Sequence, residues 1–191
     1  MISVMDEDEF WEIVASTRGA AAGVISGQPS ALRELLARRP VADALAFQRI
    51  LEHVSARADT RDMGHAAGLL LGGVGSDSFT DFRTWLVCHG RATFERALAD
   101  PDTIVELTYD EDEEDFGHAE HVGYVAPDLY EERTGDEAPT DDEAPATEYE
   151  PYDQDALRAR FPRLWARAEG RHPEYLTLRE AMYHHLRGEP G

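Results

Sequence analysis

Residues 60–107 read TRDMGHAAGLLLGGVGSDSFTDFRTWLVCHGRATFERALADPDTIVEL, and this stretch decides the fold class. From Thr60 onward, small residues mixed with Leu69, Leu70 and Leu71 describe a helix able to approach its neighbours closely, until the GGVG run at 72–75 breaks it. Ser76 or Ser78 is placed to cap the next helix, in which Phe79, Phe82, Trp85 and Leu86 recur at helical spacing before Gly90 ends it. RATFERALADPD gives a further helix that stops ahead of Pro101, and DTIVEL a last short one. No run of 4 to 8 residues alternates with β-branched enrichment, and no Asn-Gly hairpin signal occurs. The expected fold is all-α, a compact multi-helix bundle with an acidic disordered linker and a C-terminal helical appendage.

The same logic extends toward the N-terminus. Asp6 followed by Glu9 has the spacing of a capping box, and Phe10, Trp11, Ile13 and Val14 form one stripe, which predicts a helix over about 6–17. Ser30 is expected to cap ALRELLARR, whose Leu32, Leu35 and Leu36 share a face before Pro40 stops it. A third helix carries Leu45, Phe47, Ile50, Leu51 and Val54 inward and Gln48, Arg49 and Glu52 outward. Toward the C-terminus, TYDEDEEDFGHAEHVG at 108–123 contains six consecutive acids and reads as a loop or frayed end. APDLYEERTGDE, with Pro127 in a first turn and Leu129 and Tyr130 as apolar contacts, reads as a short docked helix. Residues 135–152, rich in Pro, Ala, Thr and acids, read as a disordered linker between a helical domain over 1–134 and a tail over 153–191. The tail resembles two basic amphipathic helices bearing Leu157, Phe161, Leu164, Trp165, Leu176, Leu178, Met182 and Leu186, which need a surface to cover on this chain or on a partner.

Charge is distributed unevenly over the 191 residues. Residues 1–99 hold 13 acids and 10 arginines, residues 100–155 hold 22 acids and only Arg133, and residues 156–191 hold 4 acids and 7 arginines. The net charge of -21 therefore resides in the middle third, which argues against direct nucleic-acid binding. Every basic residue is an arginine, which codon bias in a GC-rich genome explains more simply than a need for guanidinium forks. No apolar run reaches the roughly 18 residues of a membrane span, and the start, MISVMDEDEFW, is acidic where a signal peptide is basic and then apolar. The single Cys88 cannot form an internal disulfide and fits a reducing compartment, so a cytoplasmic location is expected.

The segments DEDEFWEIV and AFQRILEHV, and above all AAGLLLGGVGSDSFTDFRTWLVCHGRATFERALADPDTI, resemble the bacterial family catalogued as domain of unknown function 4240, known mostly from actinomycetes, over about residues 5–134. The resemblance rests on Gly72, Gly73, Ser76, Asp77, Phe79, Phe82, Arg83, Trp85, Leu86, Gly90, Ala97, Leu98, Pro101 and Asp102. It implies a helical fold and no established activity, substrate or catalytic set. The chain departs from the pattern at Gly64 and His65, where a large apolar residue followed by a small one is expected, so that corner should pack differently. The arginine-rich tail lies outside the resemblance.

The chemical signals are sparse. The GGVGSDSF turn permits positive φ and offers helix N–H groups to an anion, yet it lacks the Gly-Lys-Ser/Thr of a P-loop and follows a helix rather than a strand, so a linking turn is the simpler reading. Arg83 with Trp85 suits a structural ion pair or a ligand clamp. His118 and His121 stand i and i+3 among carboxylates, a spacing compatible with a metal only on a helix and with a third ligand; a solvated charge run is the plainer account, and no metal or cofactor is expected. Cys88 and His89 are adjacent and point about 100° apart on a helix, which disfavours a nucleophile pair. No HExxH, CxxC or GxSxG appears. The leading expectation is a binding or regulatory module whose acidic segment engages a basic protein partner, with room for a homodimer through the C-terminal helices. The alternative is a small enzyme or ligand-binding protein with Asp77, Asp81, Arg83, Trp85, His65 and Trp11 lining a pocket at the GGVGSDSF/FRTWL corner.

Overall fold

The structure, a computed structural model, describes residues 5–107, 115–139 and 151–187, apart from the side chains of 115–117 and 184–187. Every regular element among the described residues is helical: α1 (Glu7–Ala20), α2 (Gln28–Ala37), α3 (Val41–Ala56), α4 (Arg61–Leu71), α5 (Ser76–Cys88), α6 (Arg91–Ala99), α7 (Asp115–Thr134), α8 (Gln154–Arg160), α9 (Pro162–Arg171) and α10 (Pro173–Arg187), with 3-10 turns at Ile25–Gly27 and Pro101–Glu106. The all-α expectation holds. The first part of the expected 108–123 loop, residues 108–114, and residues 140–150 of the expected linker lie outside the described residues. Two compact units form, the first from 5–58, 80–94 and 115–139, the second from 59–79, 95–107 and 151–187, with α5 and α6 contributing to both.

In the first unit, α1 starts as its sequence predicts, with the Asp6 carboxylate accepting the Glu9 N–H at 2.9 Å. Phe10, Trp11, Ile13 and Val14 are all buried, with Phe10 packed on Phe47 of α3 and Trp11 on Phe94 of α6. The acidic head of α1 gathers arginines from elsewhere in the unit: Glu7 meets Arg57 at 3.1 Å, Glu9 meets Arg39 at 2.6 Å, and Asp8 pairs with Arg91. The Ser30 cap is a correction. Helix α2 begins three residues earlier, at Gln28 with Gly27 as its cap, because Pro29 presets the first turn and Gln28 is buried, its amide donating to the Cys88 carbonyl at 3.3 Å. In α3 the buried stripe is Ala44, Phe47, Leu51 and Val54, with Leu45 and Ile50 half-buried at its edges.

A second correction concerns 115–134. The segment read as an acidic loop followed by a short helix is one 20-residue helix, α7, with Pro127 inside it. Proline removes the bond to the Gly123 carbonyl and costs an isolated helix about 3 kcal/mol. Packing outweighs that cost: Ala119, Val122, Val125, Ala126 and Leu129 recur on one face across the proline, all buried, and α7 lies against both α2 and α3. Arg33 of α2 pairs with Glu132, and Arg133 donates to the Arg39 carbonyl at 2.8 Å.

In the second unit, the Thr60 hydroxyl caps α4 by accepting the Met63 N–H at 3.2 Å. The helix ends at Gly72, whose φ of +73° is the left-handed conformation that glycine adopts without strain. The tail forms three helices rather than two. Pro162 excludes the helical conformation at Phe161, so α8 stops there and α9 starts with the proline in its first turn. Leu157, Phe161, Leu164, Trp165 and Ala168 are buried, and α9 packs on α4 and on the 101–106 turn. The surface these apolar residues needed is therefore on this chain. Asp102, only 5% exposed, fixes the register: its two carboxylate oxygens accept the Arg163 N–H at 3.1 Å and the Leu164 N–H at 2.9 Å, capping α9 from across the chain.

Replacing Asp102 with alanine leaves two enclosed N–H groups without an acceptor and is expected to destabilise the protein by about 2–4 kcal/mol, with Asp102→Asn costing roughly half as much because one oxygen remains. Urea denaturation followed by far-UV circular dichroism checks both values and their order.

Candidate functional site

The densest polar arrangement in the second unit is built on one face of α4. The Asp62 carboxylate accepts the Tyr152 hydroxyl at 2.8 Å through one oxygen, and Arg160 Nε and Nη2 at 2.9 and 2.7 Å through the other. Burial opposes ionisation of Asp62, but the hydrogen bonds from Tyr152 and Arg160 outweigh it and hold the carboxyl below its usual range. Accepting that bond raises the tyrosine in turn. The Arg61 guanidinium lies 3.7 Å over the Tyr152 ring and donates to the Pro151 carbonyl, and the His65 ring packs on the same tyrosine at 5.1 Å. One turn from Asp62 along α4, His65 Nδ1 stands 3.4 Å from Arg179 Nη2 of α10.

Past His65 the same helix presents glycines to α10. A Cβ built at Gly68 meets the Tyr175 hydroxyl at 2.5 Å, and one at Gly72 meets His172 Nδ1 at 2.7 Å. Gly68 and Gly72 thus leave the room in which His172 and Tyr175 sit.

The six residues expected at the GGVGSDSF/FRTWL corner are divided between the units: His65 and Asp77 in the second, Trp11, Asp81, Arg83 and Trp85 in the first. Asp77 is exposed and accepts the Ser76 hydroxyl at 3.2 Å. Arg83, half-buried, donates to the Thr80 hydroxyl at 3.0 Å, and Asp81 is half-buried on the same helix. Trp85 has no solvent exposure and lies between Phe82 at 5.5 Å and His89 at 4.4 Å. Trp11 donates its indole N–H to Glu7 at 3.1 Å. His118 and His121 lie on α7, so the helical condition on that pair is met, with ring centroids 6.0 Å apart. Among the described residues no group of three or more His, Cys, Asp and Glu side chains is placed to hold a metal ion. No described helix is long and apolar enough to cross a membrane.

Sequence reasoning passed over Asp62, Tyr152, His172, Tyr175 and Arg179. The available signals were the departure from the family pattern at His65 and the i, i+4 spacing of Tyr175 and Arg179, which puts those two on one helical face.

The chain is thus a helical protein whose second unit is completed by its tail. Residues 5–132 match the family model described as Protein of unknown function (DUF4240), and the chain belongs to that family. No curated protein and no solved structure matches it.

Two buried groups next to one another in the first unit have opposite consequences for chemistry. Burial pushes the Cys88 thiol up to about 12, which removes the thiolate a nucleophile requires. Burial, with the Arg18 charge behind it, pushes His89 down from 6.5 to about 4. The folded chain therefore keeps His89 neutral while the unfolded chain takes up a proton near pH 6.5. Its contribution is complete above that pH and is lost as pH falls toward about 4, amounting to up to about 3 kcal/mol. His89→Phe should flatten this part of the stability profile, which denaturant midpoints measured at about pH 7.5 and 4.5 will read against the unsubstituted protein.

Proposed function

We propose that this chain is a protein-interaction module that captures a basic partner through the acidic stretch leading into and along α7. The charge distribution carries this reading: residues 100–155 hold 22 acids against one arginine, while several carboxylates of α1 are already matched by arginines of their own unit. The described part of the stretch adds a surface to the charge. His121, Tyr124, Asp128 and Glu131 follow i, i+3, i+7 and i+10 spacing and are exposed, Tyr124 at 52%. The Tyr124 hydroxyl donates to Glu120 at 2.9 Å, which raises the phenol and fixes an aromatic face among carboxylates. Such a face suits an arginine or lysine side chain, by stacking and by ion pairing together. Excess negative charge around it would steer a basic partner inward.

Homodimerisation through the C-terminal helices receives weaker support. Leu178 and Met182 are exposed one turn apart on α10, but two side chains cover far less than the roughly 800 Å² per partner of a stable interface. The enzymatic alternative draws no support from Trp85, which is enclosed among aromatic rings.

The test is titration calorimetry of the full chain with an arginine-rich helical peptide at about 50 and 300 mM salt. Affinity should fall by about tenfold or more between the two conditions, and a Tyr124→Ala, Asp128→Lys, Glu131→Lys variant of unchanged helicity should lose a further tenfold at low salt. Binding that is indifferent to the three substitutions would sink the reading.

A further inference from the structure

Several arginines of the second unit are ion-paired, and Arg179 is not one of them. Arg160 pairs with Asp62, Arg163 and Arg96 with Glu106, and Arg158 with Glu169. Arg179 is half-buried on the face of α10 toward α4, and among the described residues it makes no ion pair within 4.0 Å. Its Nη2 stands near His65 Nδ1, the Tyr175 hydroxyl is a second polar neighbour, and its Nη1 is enclosed with no hydrogen-bond partner. Asp153, whose charge reaches Arg179, instead accepts the Ala156 N–H at 2.7 Å and caps α8. Burial works on the guanidinium by lowering its affinity for a proton, the expected penalty for a cation withdrawn from water without its counter-charge.

A second polar atom in the same seam is in the same condition. His172 Nε2 is enclosed with no partner, and its ring occupies the space left by Gly72. Tyr175 and Arg179 share one face of α10 and His172 stands at the joint just before it, so an imidazole, a phenol and a guanidinium lie along Gly68, Gly72, Gly73 and His65. A buried guanidinium without an acceptor is costly, whereas a planar fork facing a carboxylate or phosphate is among the strongest hydrogen-bonded pairs in proteins.

We infer that the seam between α4 and α10 is a binding site for a small oxyanion, with Arg179 as its charged anchor and Tyr175 and His172 as the flanking polar groups. Among its described side chains α10 buries only one apolar residue, Leu176, and leaves Leu178 and Met182 in solvent. The chain breaks from helix at His172, with φ -133° and ψ 49°, immediately before Pro173. Ligand entry by a shift of α10 about this joint is part of the inference, α9 being anchored by Leu164, Trp165 and Asp102. This inference does not rest on the function proposed for α7.

The experiment follows thermal unfolding of the full chain in inorganic phosphate and, separately, in acetate, each against sodium chloride of equal ionic strength. At least one oxyanion should raise the melting temperature by several degrees in a saturable way. Phosphate alone doing so assigns a phosphate-bearing ligand, acetate alone a carboxylate, and both an unselective oxyanion site. Arg179→Met should abolish the increment and Tyr175→Phe should shrink it. Hydrogen exchange on the unsubstituted protein gives a readout independent of those variants: the anion should slow exchange in α10 and around Gly72. The inference is overturned if neither anion exceeds its chloride control, if the increment survives in Arg179→Met, or if exchange slows uniformly along the chain.

Discussion

One carboxylate withdrawn almost entirely from water determines how the second unit is assembled. The first N–H groups of any helix lack partners within that helix, and α9 begins at Pro162 with no side-chain cap of its own. Asp102, some sixty residues earlier in the chain, supplies both acceptors. A buried carboxyl offsets its lost hydration only when its oxygens are hydrogen-bonded, so the site tolerates one register of α9 and penalises the rest. With α9 fixed, Leu164, Trp165 and Ala168 are buried against the unit, and α8 and α10 both pack on α9, which itself lies on α4. The Asp62–Arg160 and His65–Arg179 contacts follow from that placement.

The first unit meets the same requirement with the opposite chemistry. Its late helix, α7, is held mainly by apolar side chains on both sides of a proline that on propensity alone should end it. Polar links at the unit's periphery, Arg33 to Glu132 and Arg133 to the Arg39 carbonyl, are exposed and worth little individually. Specificity in one unit comes from an enclosed hydrogen-bonded anion, and in the other from a continuous apolar stripe.

This contrast explains what could be read in the sequence. Caps and stops that act within a few residues, such as Asp6 before α1, Gly72 after α4 and Gly90 after α5, are legible because their partners are local. The helicity of 115–123 was obscured by the neighbouring acids, although Ala119, Val122, Val125, Ala126 and Leu129 carried the period. Ser30 was misleading because Pro29 and the buried Gln28 place the start of α2 earlier. The break at Phe161 was available from Pro162 alone. What no local pattern contains is the choice of distant partner: nothing in Asp102 or His65 announces Leu164 or Arg179, and the polar cluster on α4 stayed hidden for that reason.

The family match ends at residue 132, yet the second unit is not complete without residues 151–187. Gly72 and Gly73, which from sequence alone read first as a turn linking two helices, lie against the His172 and Tyr175 rings. The chemistry of that turn therefore belongs jointly to the matched part of the chain and to the tail beyond it. Anything recognised there must interact with a phenol, an imidazole and a guanidinium as well as with backbone N–H groups. A tail of different sequence on the same glycine turn would present different chemistry, so the helical framework and the side chains facing this seam can vary independently.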